Sequence, residues 1–129
     1  MADKTIEEVV IGYLNSNRNT IEYPAYGDTP YKDRLPAHHY MVEKTGSTTR
    51  DRLATAQIVI QSVTVQSKAQ AAQMNEAAVN AMDSLAGNVA GVSACHLNSD
   101  YDYTDTTTKR WRYQAVFDIT YNREVLSNG

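Results

Sequence analysis

Residues 110–122, RWRYQAVFDITYN, constrain this chain more than any other stretch. Trp111, Tyr113, Ala115, Phe117, Ile119 and Tyr121 fall on every second position, with Arg110, Arg112, Gln114, Val116, Asp118, Thr120 and Asn122 between them. Successive side chains of a strand point to opposite faces, so the stretch predicts one strand with a dry aromatic face and a wetter, mostly polar one. At roughly 3.3 Å per residue it would run about 40 Å, well beyond the usual strand of about 5–6 residues. It also holds the only Trp and the only Phe. Such a strand suits the centre of an antiparallel sheet, and the rest of the chain must supply its neighbours and the cover for its dry face.

The cover is readable as two helices. Residues 4–17 open on Thr5-Ile6-Glu7-Glu8, the spacing of a capping box, and carry an apolar stripe of Ile6, Val9, Val10, Tyr13 and Leu14 before Asn15-Ser16-Asn17 weakens the helix. Residues 68–86 are capped by Ser67 with Gln70 three positions on. Their stripe is Ala71, Met74, Ala78, Met82 and Leu85, and Gly87 is expected to close the helix. Its alanines would let it lie close to a sheet.

Residues 18–37 read as a long ordered loop, with turn or extended signals at Tyr23-Pro24, Tyr26-Gly27-Asp28, Thr29-Pro30 and Leu35-Pro36 and a short strand over 20–23. Residues 38–44 read as a strand with Tyr40 and Val42 on one side and His39, Met41 and Glu43 on the other; Thr45-Gly46-Ser47 reads as a turn. In residues 53–66, Ala54, Ala56, Ile58 and Ile60 keep one phase and Val63 and Val65 take the other. That slip at Gln61-Ser62 fits a bulge, a strong twist, or a strand buried on both faces. Residues 92–97 form a short strand with Val92, Ala94 and His96 in phase, and the polar run 98–109 either turns or carries the strand on to Tyr103. The expected architecture is a single α+β domain over residues 1–129: an antiparallel sheet of about four strands, as two hairpin-like pairs, with two helices on one face.

At 129 residues the chain is long enough for one core, and a net charge of −3 gives no general basic surface for nucleic acid. The single Cys95 excludes an internal disulfide and a cysteine-rich zinc site. No apolar run approaches the roughly 20 residues of a membrane span, and no basic n-region precedes an apolar core, so a soluble protein of a cytosol-like compartment with no membrane partner is expected. Tyr is overused, at 9 residues, which suits a thin domain with much contact surface.

Chemistry-bearing motifs are absent. His38 and His39 are adjacent and would point to opposite faces, and His96 with Asp100, Asp102 and Asp105 lacks a fixed ligand spacing. The Asp100–Asp105 spacing has neither the Gly at the sixth nor the Glu at the twelfth position of a calcium loop. Cys95 lies beside His96 in sequence but across the strand from it, and reads as a small core residue. Lys109-Arg110-Trp111-Arg112-Tyr113 mixes basic and aromatic residues, yet alternation separates the rings from the guanidiniums, which a stacking platform needs together. The outer row Arg110, Arg112, Gln114 and Asp118 is left for a neighbouring chain, and the arginines could meet the acidic residues 100–105 of that neighbour.

The order of elements and short motifs also carries a resemblance. It runs through Leu35-Pro36-Ala37-His38-His39-Tyr40-Met41-Val42-Glu43-Lys44-Thr45-Gly46, the strand 56–65, the alanine-rich helix 68–85, and Asp105 leading to Arg112-Tyr113-Gln114-Ala115-Val116-Phe117. In these, over residues 36–121, the chain resembles the tail-terminator, tail-completion or head–tail joining proteins of long-tailed bacteriophages. The resemblance implies a structural virion protein and no enzyme, with no cofactor and no metal. Made in the host cytoplasm, its subunits would form a ring, typically a hexamer, that caps the tail tube, stops its growth and meets the head connector. DNA could pass through such a ring without sequence-specific binding. The candidate assembly residues are Arg110, Arg112 and Asp118 on the long strand, Tyr26 and Tyr31 in the loop, and Arg50 and Arg52. Two alternatives stand beside this reading. One is another phage neck or head-completion protein. The other is a small ligand-binding or enzymatic domain using the concave sheet face, with His38, His39, His96 and the acidic residues at its rim.

Overall fold

The computed structural model describes residues 5–27, 36–50, 53–104 and 110–122, side chains at 49 and 50 excepted. Tyr31, Arg52 and the side chain of Arg50 therefore lie outside the described residues, as do Asp105 and most of the second half of the long loop. In order, the elements are α1 (Ile6–Ser16), α2 (Arg18–Ile21), β1 (Ala25–Tyr26), β2 (His38–Arg50), β3 (Leu53–Thr64), α3 (Lys68–Asp83), α4 (Leu85–Asn88), β4 (Val92–Asp102) and β5 (Trp111–Asn122). They form the expected α+β layer. The four long strands are antiparallel, and β1 adds a fifth, parallel to β2, giving the order β1-β2-β3-β5-β4. The chain leaves β3, crosses through α3 and α4 to β4, and returns in β5 to fill the slot between β3 and β4. The long strand is thus internal, hydrogen-bonded on both sides.

Both helix starts are as the sequence predicts. Thr5 Oγ1 accepts from Glu8 N at 3.1 Å and Ser67 Oγ from Gln70 N at 3.0 Å, each satisfying a backbone donor that the first turn leaves without a partner. The stripes bury Ile6, Val10, Tyr13 and Leu14 of α1 and Ala71, Met74, Ala78 and Met82 of α3. They close over Tyr40 and Val42 of β2, Ala54, Ala56, Ile58 and Ile60 of β3, and Ala115, Phe117, Ile119 and Tyr121 of β5, all in one core. Two tyrosines pin this layer. Tyr13 Oη donates to Ala81 O at 2.7 Å, and the fully buried Tyr40 Oη is shared between Ile21 O at 3.0 Å and Met74 O at 3.2 Å.

Several expectations are corrected. The strand over 20–23 is instead the short helix α2; its last residue, Ile21, is buried in the core, and Glu22 follows at φ 68. The strand of this region is β1, held by Asn15, which donates through Nδ2 to Ala25 O at 3.1 Å and accepts from Ala25 N at 3.0 Å. Thr45-Gly46-Ser47 is not a turn: β2 continues to Arg50, and the pairing merely shifts by one residue between Lys44 and Gly46. The bulge is therefore in β2 and not in β3, whose register with β5 runs unbroken from Leu53 to Thr64. Of the readings of the slip at Gln61-Ser62, burial on both faces holds: β3 buries Val59 and Val63 on its second face, while Val65 lies beyond the strand and is exposed. In β4 the pairing shifts between Val92 and Ala94, so these two do not share a phase. Gly87 does not close α3, which ends at Asp83 with Ser84 as its C-cap and is followed by α4. Of the two readings of the run 98–109, the structure takes the strand, which continues as far as Asp102.

Candidate functional site

The helices cover one face of the sheet. Across the other, the pairing registers set side chains in rungs. The first is His39–Val63–Arg112, the second Met41–Gln61–Gln114–Tyr101, the third Glu43–Val59–Val116–Ser99 and the fourth Gln57–Asp118–His96. The second rung is hydrogen-bonded throughout its centre: Gln61 Nε2 donates to Gln114 Oε1 at 3.0 Å, and Gln114 Nε2 to Tyr101 Oη at 2.5 Å. At the fourth, Thr45 Oγ1 donates to Gln57 Oε1 at 2.8 Å, and Asn98 Nδ2 to Asp118 Oδ2 at 2.9 Å. Val59, Val63 and Val116 belong to these rungs and are buried.

At the His39 end the face deepens into a cleft of about 530 Å³. Its walls include His39, Gln61, Val63, Lys44, Arg110 and Arg112. Val42 and Glu7, from the helix side of β2, also line it, so the cleft wraps around the β2 flank. The Pro36 carbonyl ties two of these walls together, accepting from Arg110 Nη1 at 3.2 Å and lying 3.2 Å from His39 Nδ1. A carbonyl only accepts, so Nδ1 carries the hydrogen and neutral His39 presents a bare Nε2. Burial holds the His39 imidazole below its ordinary pKa; the Pro36 bond opposes this, and the charges of Arg110 and Arg112 add to it. Arg112 Nε is buried without a hydrogen-bond partner among the described residues.

Three of the candidate residues are brought together: Arg110 and Arg112 in the cleft, and Tyr26, whose ring centroid is 6.2 Å from that of His39. Asp118 is on the same face but six residues along β5, about 20 Å away at the strand rise, and is bonded to Asn98. The outer row is thus not a set of free side chains, since Arg110, Gln114 and Asp118 each have a partner within the chain. His39, expected only at the rim of an alternative ligand site, is instead a wall of the cleft, and the bonding of Gln114 to Gln61 and Tyr101 was not foreseen. Alternation placed His39 on this face, but only the strand pairing sets it beside Val63 and Arg112.

The remaining candidates stand apart. His38 turns to the other face, with Nδ1 2.7 Å from Thr64 Oγ1 and its ring 4.6 Å from that of Tyr23. Cys95 is packed against the core; burial first, then the charges of Asp83 and Asp118, push its thiol up to about 12. Asp100 Oδ2 accepts from Asn75 Nδ2 at 2.8 Å, and Asp102 pairs with Lys68 at 3.1 Å. Thr104 bonds first, then Lys68, hold the Asp102 carboxyl below its usual range. Among the described residues no three of His, Cys, Asp and Glu gather as metal ligands would, and no helix is long and apolar enough to cross a membrane.

No protein-family model matches the chain, and no curated protein does. Among solved structures, a crystal structure from Akkermansia muciniphila is similar over 94% of this chain and 77% of that one, at 8% identity and a TM-score of 0.41. So loose a likeness carries no argument about function.

Proposed function

We propose that the chain is a structural subunit of a phage neck or tail, a tail-terminator or tail-completion protein whose copies close into a ring on the tail tube and meet the head connector. The resemblance over residues 36–121 suggests the role, and one observation favours assembly. Beyond Met41 no described strand pairs with the outer edge of β2, and none pairs with the outer edge of β4. Unpaired edges are templates for another chain. The two edges differ, so pairing one with the other is head-to-tail, the kind of contact that closes into rings.

The test has two arms. Sedimentation and negative-stain microscopy of the purified chain are expected to show species several times the subunit mass, or rings. Tail tubes assembled in its absence are expected to bind it and stop growing. A chain that stays monomeric and leaves tubes uncapped overturns the reading. Expression from a gene between head and tail genes would agree with it.

A further inference from the structure

We propose that the His39 end of the cleft is a binding site for a carboxylate on a short apolar body, held by Arg110 and Arg112. The proposal goes beyond the assembly reading and does not rest on it. The cleft volume of about 530 Å³ lies within the roughly 300–1,000 Å³ of small-molecule sites.

Three observations carry it. The first is an unmet donor. Arg112 lines the cleft, and its Nε is buried with no hydrogen-bond partner among the described residues. A covered guanidinium donor without an acceptor is costly. A carboxylate that draws the guanidinium towards the cleft accepts from Nε and an Nη together, the paired geometry that suits its planar fork.

The second is the placement of charge. Arg112 shares the first rung with Val63 and His39, and Arg110 lines the same cleft with Nη1 already tied to Pro36 O. Among the described residues no carboxylate forms an ion pair with either arginine. Glu43, the acid on the same sheet face, stands four residues along β2 from His39, about 13 Å at the strand rise. Glu7 and Lys44, which is paired with Ile58, line the part of the cleft on the helix side of β2. The basic end therefore holds positive charge that no described acid offsets. Along the whole cleft, three cations (Lys44, Arg110 and Arg112) face two acids, a surplus that matches one carboxylate and not a polyanion.

The third is apolar surface beside that charge. Val63 lies between His39 and Arg112 in the first rung, Met41 belongs to the second, and both line the cleft. Inorganic phosphate has no apolar part to set against them, whereas a short alkyl chain does.

Hexanoate is the probe, titrated into the full chain and followed by calorimetry and NMR. Saturable binding is expected, with shifts in the His39 ring and the Arg112 side chain and none at His38, which faces the other side of the sheet. Hexanamide has the same shape without the charge and is expected to bind at least about tenfold more weakly. Arg110→Gln and Arg112→Gln are each expected to weaken hexanoate at least about tenfold. Either variant answers should the other not fold. Arg112→Lys keeps the charge but not the fork, and is expected to fall between wild type and Arg112→Gln.

A peptide ending in a free leucine carboxylate, compared with its amide, separates two sources of the same group. Binding at least about tenfold tighter than hexanoate assigns the site to a chain terminus, and anything weaker assigns it to a small molecule. If neither hexanoate nor the peptide saturates, if hexanamide binds as well as hexanoate, or if both Gln variants bind like wild type, the proposal is overturned. Phosphate or random-sequence duplex DNA that displaces hexanoate and binds more tightly overturns it as well, by giving the arginines to phosphate.

Discussion

On one face of β5, Ala115, Phe117, Ile119 and Tyr121 join the core beneath α3; on the other, Arg112, Gln114, Val116 and Asp118 form rungs with the neighbouring strands. Both faces bury apolar atoms, but differently. The helix face does so with interlocked side chains from five long elements, so a lost group leaves a cavity. The open face does so with three valines set among hydrogen-bonded polar rungs, whose removal leaves groups that water can reach. The first face specifies the fold. The second tolerates change in exchange for a surface that can be recognised.

Substitutions should separate the two. Phe117→Ala empties a fully buried site between β3, β4 and α3, and should cost about 3–5 kcal/mol in denaturant titration. A cost under about 1 kcal/mol would mean that this face is not close-packed. Tyr40→Phe keeps the ring and removes the hydroxyl that Ile21 O and Met74 O share, so a loss of about 1–3 kcal/mol is expected by the same titration. On the open face, Gln114→Ala breaks both bonds of the second rung, yet its neighbours are partly wet, and about 1 kcal/mol or less should be lost. If Gln114→Ala costs as much as Phe117→Ala, the distinction between the faces fails.

The helix face was also the legible one. Apolar periodicity reports burial under a partner, so the stripes of α1 and α3 and the alternation of β5 were readable, and the caps at Thr5 and Ser67 are local chemistry with a fixed spacing. What could not be read depends on pairing. β1 is two residues held by Asn15 and by β2, too short for any period. The Thr45-Gly46-Ser47 run has turn composition, but β3 continues opposite it and draws it into the ladder as a bulge. Val63 and Val65 looked like a slip for two reasons: Val63 is buried on the second face of β3, and Val65 lies beyond the strand and is exposed. The cleft was half legible: its arginines were visible in β5, while His39 and the Pro36 carbonyl join them only through register and loop geometry.

The last test probes how dry the open face is at its first rung. Burial lowers the His39 pKa in the fold, the Pro36 bond partly offsets this, and Arg110 and Arg112 reinforce it. In the unfolded chain the same imidazole titrates near its ordinary value of about 6.5. Below that pH the unfolded state takes up a proton that the folded state resists, so the unfolded state is favoured. Stability from this source is therefore complete above about pH 6.5 and falls as the pH drops below it. Thermal melts between pH 7.5 and 5.5 should show a decline in wild type that is weaker in His39→Gln. Equal declines would mean that His39 accepts its proton in place. The first rung would then be as open to water as the exposed end of β4, and the cleft would hold a cationic imidazole beside its two arginines.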